Sequence, residues 1–367
     1  MRTANGINGI TKTCLLKIYR RAGGGPSCGR VGGGPSGGRP FARCFCAVFL
    51  VACLFAFTSC DISIVQESIL PLLTGAQGAA GGAGTPSGNI VFTEKTPYDE
   101  DTFVIVNTTS DVYSAADRTS ARLTQLLFNE PAYVLEESGR WYRLLVDGET
   151  EGWSSDRNFD DDWTCIDGRR YSGRIVITDR EKQVYSHPRN GIVIRDVGMG
   201  TELFVVNKSD NVYQVALPGN LTGWVSETGA FQLDVGEKIK KTSAEIFAQS
   251  CEKFRGVSYL LGGLSFQGID GAGIVYIAAK VNGVPLPRGF EGQFGEGELT
   301  GGGFGSLAVG DVLFFSINNQ SSEITDSGVY TGDGKFIHAN QHTGKVQYED
   351  IEDLYFQQRL LGVKRYF

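Results

Sequence analysis

The sequence predicts an α+β C-terminal domain preceded by two small all-β barrels. Three observations predict it. Short motifs in the middle of the chain recur at offsets of 71 or 72 residues. Inside each copy, apolar and polar residues alternate with period two. Beyond residue 243 the spacing turns helical and is followed by short apolar runs, the order of an α+β domain.

The repeat defines the first two units. Val112-Tyr113-Ser114 recurs as Val184-Tyr185-Ser186, and Gly152-Trp153 recurs as Gly223-Trp224. The segments AYVLEESGRWYRLLV and LFVVNKSDNVYQVAL each carry two alternating stretches broken by a turn signal, the mark of antiparallel strands. The units are placed at 97–158 and 174–233. The two tryptophans are expected in barrel cores. Residues 159–170, acidic and then basic, read as a solvated linker.

In the C-terminal domain, 243–367, a helix is expected over 243–256, with Ser243 as its cap, Gly256 at its end and Ile246, Phe247 and Phe254 on its apolar face. A second helix is expected over 271–282. Strands follow at VGDVLFFSI, SGVYTGDGKFIHA and the tail LLGVKRYF. The glycine-rich run 289–305 reads as a mobile loop.

The N-terminal 96 residues read as a targeting and tethering region. Residues 44–58 are fifteen apolar-rich positions behind Arg39 and Arg43, suited to the core of a signal peptide and short for a membrane span. Phe57-Thr58-Ser59-Cys60 resembles a lipobox, which implies cleavage after residue 59, lipidation of Cys60 and attachment of the exported chain to a membrane of the cell envelope. Residues 1–59 form a long leader, and translation from nearer Arg39 would give one of ordinary length. Residues 60–96 contain a Gly/Ala/Ser-rich tether.

Formal net charge is −7; residues 1–59 contribute eight Lys/Arg and no Asp/Glu, so the remainder carries −15. So acidic a body argues against nucleic acid as a partner. Of eight cysteines, Cys165 and Cys251 are the pair left after the leader and Cys60, and spacing leaves open whether they bond. No cysteine or histidine spacing suggests a metal, and no cofactor is expected.

The residues of the last domain resemble a known family. Tyr259-Leu-Leu-Gly262-Gly263 is followed in order by Gly268-Ile269-Asp270-Gly271-Ala272-Gly273, Leu286-Pro287-Arg288, Gln293 and Gly310-Asp311. Gly328-Val-Tyr330-Thr-Gly332-Asp-Gly334-Lys-Phe-Ile-His338-Ala339 closes the series. This resembles the NlpC-type family of papain-like cysteine peptidases, which cleave bacterial wall peptides. The repeated units, with their late Gly-Trp, resemble bacterial SH3-like domains. Together they resemble the γ-D-glutamyl-diamino-acid endopeptidases.

That resemblance implies a thiolate at a helix start, an imidazole base and a third group orienting the base. The family motif Asp-Cys-Ser-Gly reads here Asp270-Gly271-Ala272-Gly273, so the nucleophile position is Gly271. The base position is Asp326, and the third member remains as His338. Two of three catalytic groups are thus replaced, which argues against enzymatic activity. The resemblance still implies a ligand-facing cleft with Tyr259, Asp270 and His338. The expected partners are peptidoglycan stem peptides or another wall enzyme. The alternatives are an active endopeptidase with a rebuilt site and an envelope protein whose cleft binds nothing.

Overall fold

The computed structural model describes residues 103–146 and 150–367. The leader, Cys60, the tether and the first residues of the first repeat lie outside them. Among the described residues no helix is long and apolar enough to cross a membrane.

The first repeat forms strands β1 (Phe103–Val106), β2 (Ser110–Tyr113), β3 (Arg122–Leu126), β4 (Pro131–Ser138), β5 (Trp141–Val146), β6 (Thr150–Ser155) and β7 (Phe159–Asp160). The second forms β8 (Gly173–Ile177), β9 (Glu181–Tyr185), β10 (Val193–Gly198), β11 (Glu202–Ser209), β12 (Val212–Leu217), β13 (Leu221–Ser226) and β14 (Ala230–Asp234). Both are antiparallel sheets, and their strand orders coincide: β3-β2-β6-β5-β4-β1-β7 and β10-β9-β13-β12-β11-β8-β14. The glycine before each tryptophan has a steric reason. A Cβ on Gly152 would lie 2.5 Å from Val112, and one on Gly223 would lie 2.3 Å from Val184, so the neighbouring strand leaves room for hydrogen alone. Trp153 pairs with Tyr113 and Trp224 with Tyr185. Both indoles are half-buried rather than enclosed in a core.

The expected linker is a packed element. Asp162 caps a 3-10 turn at Trp163–Ile166, accepting from the Thr164 amide at 2.9 Å. Trp163, Cys165 and Ile166 are buried there, against Ile105 of the first sheet and Ala216 of the second. Asp167 is buried too, paired with Arg169 at 2.8 Å, and the three apolar side chains pack between the repeats.

The C-terminal domain starts with α1 (Ala244–Glu252), capped by Ser243. Gly256, at φ +84°, comes after a further turn rather than ending the helix, and Ile246 is exposed. A small hairpin, β15 (Leu264–Ser265) and β16 (Gly268–Ile269), leads into α2 (Gly271–Val281). The glycine-rich run carries structure of its own: α3 (Phe290–Gly295), β17 (Glu298–Leu299) and a 3-10 turn at Gly303–Ser306. Then come β18 (Val312–Ser316), β19 (Ile324–Gly332), β20 (Lys335–Asn340), β21 (Lys345–Asp350), a short α4 (Leu354–Gln357) and β22 (Leu360–Arg365). These strands form a six-stranded antiparallel sheet in the order β17-β22-β18-β19-β20-β21. Phe247, Phe254 and Ile277 of the helical layer and Phe314, Val329 and Ile337 of the sheet are at most 1% exposed in one core. Each such burial contributes roughly 1.5–3 kcal/mol. That core holds the N-terminus of α2 against β19, which is where the candidate site lies.

Candidate active site

Asp270 begins the site as a helix cap. Its Oδ1 accepts from the Gly273 amide at 2.7 Å, and its Oδ2 accepts from the Gly262 amide at 2.8 Å. Arg288 donates to the same carboxylate at 3.0 Å and to the Gly263 carbonyl at 2.9 Å. With side-chain exposures of 6% and 10%, this is a buried ion pair tying the 259–263 loop, α2 and the segment before α3 to one carboxylate. Both oxygens are engaged, so a ligand reaching Asp270 must displace one of these donors. Gln293, fully buried, braces the same corner by donating to the carbonyls of Ala272 (2.9 Å) and Pro287 (3.0 Å).

Gly271, the next residue, is the first of α2 and is buried. A Cβ built on it would sit 2.9 Å from Oδ1 of Asp326 and 2.9 Å from the carbonyl of Ser327. A side chain at 271 would thus be crowded from its first carbon by the Asp326 carboxylate and the Ser327 backbone. Its other oxygen meets His338 Nε2 at 2.5 Å. Gly328 and His338 face one another across β19 and β20, and this register brings Asp326 and His338 together.

His338 is 3% exposed and lies beside the rings of Phe336 and Phe356. Its Nδ1 lies 3.7 Å from Glu349, close enough for charge attraction and too far for a hydrogen bond. Burial favours the neutral ring, but the carboxylates of Asp326 and Glu349 outweigh it and push the imidazole up to about 9. Glu349 is held below its usual range: burial opposes this and is outweighed by the nearby His338 and by donation from Asn340 and Gln347. At neutral pH His338 is thus an imidazolium between two carboxylates, with no free nitrogen lone pair to take a proton.

Tyr259 is half-buried beside this group. Burial, followed by the charges of Asp270 and Asp326, pushes its phenol up to about 12, so it is a neutral hydroxyl at physiological pH. The structure thus gathers Tyr259, Asp270, Gly271, Asp326 and His338 around the start of α2. Asp326, with 29% of its side chain exposed, is more open to solvent than Asp270 or His338.

The remaining nucleophile candidates are set elsewhere or sealed. Cys251 is fully buried, and burial drives its thiol well above the usual range; burial also pushes Cys165 up to about 12. Both are free thiols. Ser265 is occupied with Gln125, and Ser327, 1% exposed, lies on the opposite face of β19 from Asp326. His342 lies exposed in the turn after β20, and His187 lies in a loop of the second sheet against Ser186. Glu349 and the bracing role of Arg288 were not anticipated. The polar alternation of Gln347 and Glu349 in β21 was the signal for the first, but it becomes informative only once β21 is paired beside His338.

The first sheet borders this region. Gln125 accepts from the Leu264 amide at 2.8 Å, Arg122 donates to the Leu261 carbonyl at 3.3 Å, and Glu130 pairs with Lys280 of α2 at 2.8 Å.

Comparison with known proteins finds matches to both kinds of domain. Residues 256–365 match the NlpC/P60 family model, and residues 108–160 match that of the bacterial SH3 domain. The chain is 24% identical over 257 residues to a gamma-D-glutamyl-L-lysine dipeptidyl-peptidase of Bacillus subtilis, covering 66% of this chain and 81% of that one. It is 33% identical over 120 residues to a gamma-DL-glutamyl hydrolase of the same bacterium, covering 32% of this chain and 28% of the relative. In fold it is similar to the crystal structure of an NlpC/P60 family protein from Bacillus cereus, with a TM-score of 0.66 at 18% identity over 72% of this chain and 99% of that one. The chain therefore carries an NlpC/P60 domain at its C-terminus and a bacterial SH3 domain ahead of it.

Proposed function

We propose that this chain is a cell-envelope protein whose NlpC/P60 domain has lost peptidase chemistry and serves to hold wall peptides or to regulate another wall enzyme. The observation that carries this reading is the contact at Gly271. The helix start that would present a nucleophile has no side chain, and the carboxylate of Asp326 crowds the place where one would begin. Removing the nucleophile alone from a catalytic triad costs on the order of a millionfold in rate. Here the group at the base position is an acid bound to an imidazolium. The relatives' names, dipeptidyl-peptidase and glutamyl hydrolase, support γ-glutamyl-containing wall peptides as the class to which the cleft is suited. Asp326 and Tyr259 would face the amine-bearing end of such a peptide, which would reach Asp270 only by displacing one of its donors. The second repeat, which shares the strand order of the first, is read as a second SH3-like unit. Lipidation of Cys60 would hold the protein at a membrane; loss of radiolabelled fatty acid on Cys60→Ala checks that part.

The test pairs binding with turnover. The mature protein is mixed with purified sacculi and with soluble stem peptides, and the supernatant is analysed by mass spectrometry. Co-sedimentation and saturable peptide binding without release of any fragment are expected. Fragment release by the wild-type protein would show an active hydrolase with a rebuilt site. Failure to bind either material would leave a purely structural envelope protein.

A further inference from the structure

On the first SH3 domain, away from the start of α2, Arg118, Arg140, Trp141, Ser155 and Arg157 line an open depression of about 280 Å³. Three arginines converge there in a chain whose residues 60–367 carry a net charge of −15. The acids nearby leave them largely uncompensated. Asp117, beside Arg118, is turned into its own loop, accepting from the amide and hydroxyl of Thr119 at 2.9 and 2.6 Å. Asp156 meets Arg140 at 3.4 Å, and that arginine is 63% exposed. Trp141 stands half-buried as one wall, its ring packed edge-on against Tyr113 at 6.1 Å.

The second repeat supplies an internal control. Trp141 faces Ser155 across β5 and β6, and Val212 faces Ser226 across β12 and β13. The Asp156 amide donates to the Arg140 carbonyl, and the Glu227 amide donates to the Asn211 carbonyl, so the backbones correspond through this region. At equal positions the second repeat therefore has Asn211 for Arg140, Val212 for Trp141 and Thr228 for Arg157. The same sheet folds without the arginines or the indole, so backbone architecture does not demand them.

We propose that this depression is a binding site for an oxyanion, phosphate or carboxylate, carried on a single sugar-sized ring. Guanidinium forks match the oxygens of such groups, and the indole of Trp141 offers apolar surface for the ring. The volume, at the small end for ligand sites, suits about one ring with its substituent. The proposal is independent of the reading given for the Gly271 site.

Isothermal titration of the full-length protein tests it with three probes: N-acetylglucosamine 6-phosphate, glucuronate and uncharged N-acetylglucosamine. Saturable binding of one or both charged sugars is expected, weakening as salt is raised, with no binding of the uncharged sugar. Which charged sugar binds tells phosphate from carboxylate. R140A/R157A alters exposed side chains only and should lower the affinity at least tenfold while leaving the melting temperature unchanged. Grafting N211R/V212W/T228R onto the second repeat should raise the stoichiometry toward two. Equal binding of the uncharged sugar, indifference to R140A/R157A, or the absence of saturable binding with both anions would overturn the proposal.

Discussion

Two sets of polar residues meet at the start of α2, and they are held together differently. Asp270, Arg288, Gly262 and Gln293 form a bracing corner in which both oxygens of one buried carboxylate are engaged and the Gln293 amide donates to two carbonyls. Gly271, Asp326, His338 and Glu349 form a line across the sheet in which the residue types are those of an ion-pair network. The first set retains what the fold needs. The second links the start of α2 to β19, β20 and β21 through charge. The first set works through hydrogen bonds to backbone across three segments, the second through charge across neighbouring strands.

The difference has measurable consequences. The largest effect is expected at the brace. Asp270→Ala removes a helix cap and strands Arg288 as a buried charge, and stability in denaturant should fall by about 3–5 kcal/mol. A loss below 1 kcal/mol would mean that the corner is dispensable. Next comes a pH effect from the second set. His338 titrates near 9 in the folded protein against 6.5 unfolded. Its contribution is therefore fully present below about pH 6.5 and disappears as pH rises through 9, an amount on the order of 3 kcal/mol. Unfolding curves between pH 6 and 10 should show that decline, and H338N should flatten it. Smaller still is the steric effect at the reactive position. Gly271→Ala brings a methyl to 2.9 Å from the Asp326 carboxylate and should cost about 1–3 kcal/mol. Trimming the obstruction with Asp326→Ser should recover part of that loss, so the two changes should be non-additive in a double-mutant cycle.

Much of this was legible in the residues. The 71–72-residue offset foretold two sheets, and their strand orders prove identical. The motif order around Asp270 placed α2 to within a residue, because a capping carboxylate and a run of small and branched apolar residues act locally. The motif also drew attention to positions 271 and 326, which the structure brings into contact at the start of α2. What could not be read depends on distant partners. Glu349 joins the site only through the register of β21 on β20. Residues 159–170 look solvated by composition, yet Trp163, Cys165 and Ile166 find a cavity that two separate sheets create. The run 289–305 looks like loop because of its glycines, but Gln293 and Phe294 anchor a helical turn against α2 and β18.

The two sealed thiols turn the molecule into its own unfolding gauge. Cys165 lies at the junction of the sheets and Cys251 in the helical core of the last domain, each 2% exposed or less. Neither offers an alkylating reagent a target while its surroundings stay closed. Peptide mapping after timed labelling would then report two opening events separately, and reveal whether the sheet pair loosens before the domain it supports.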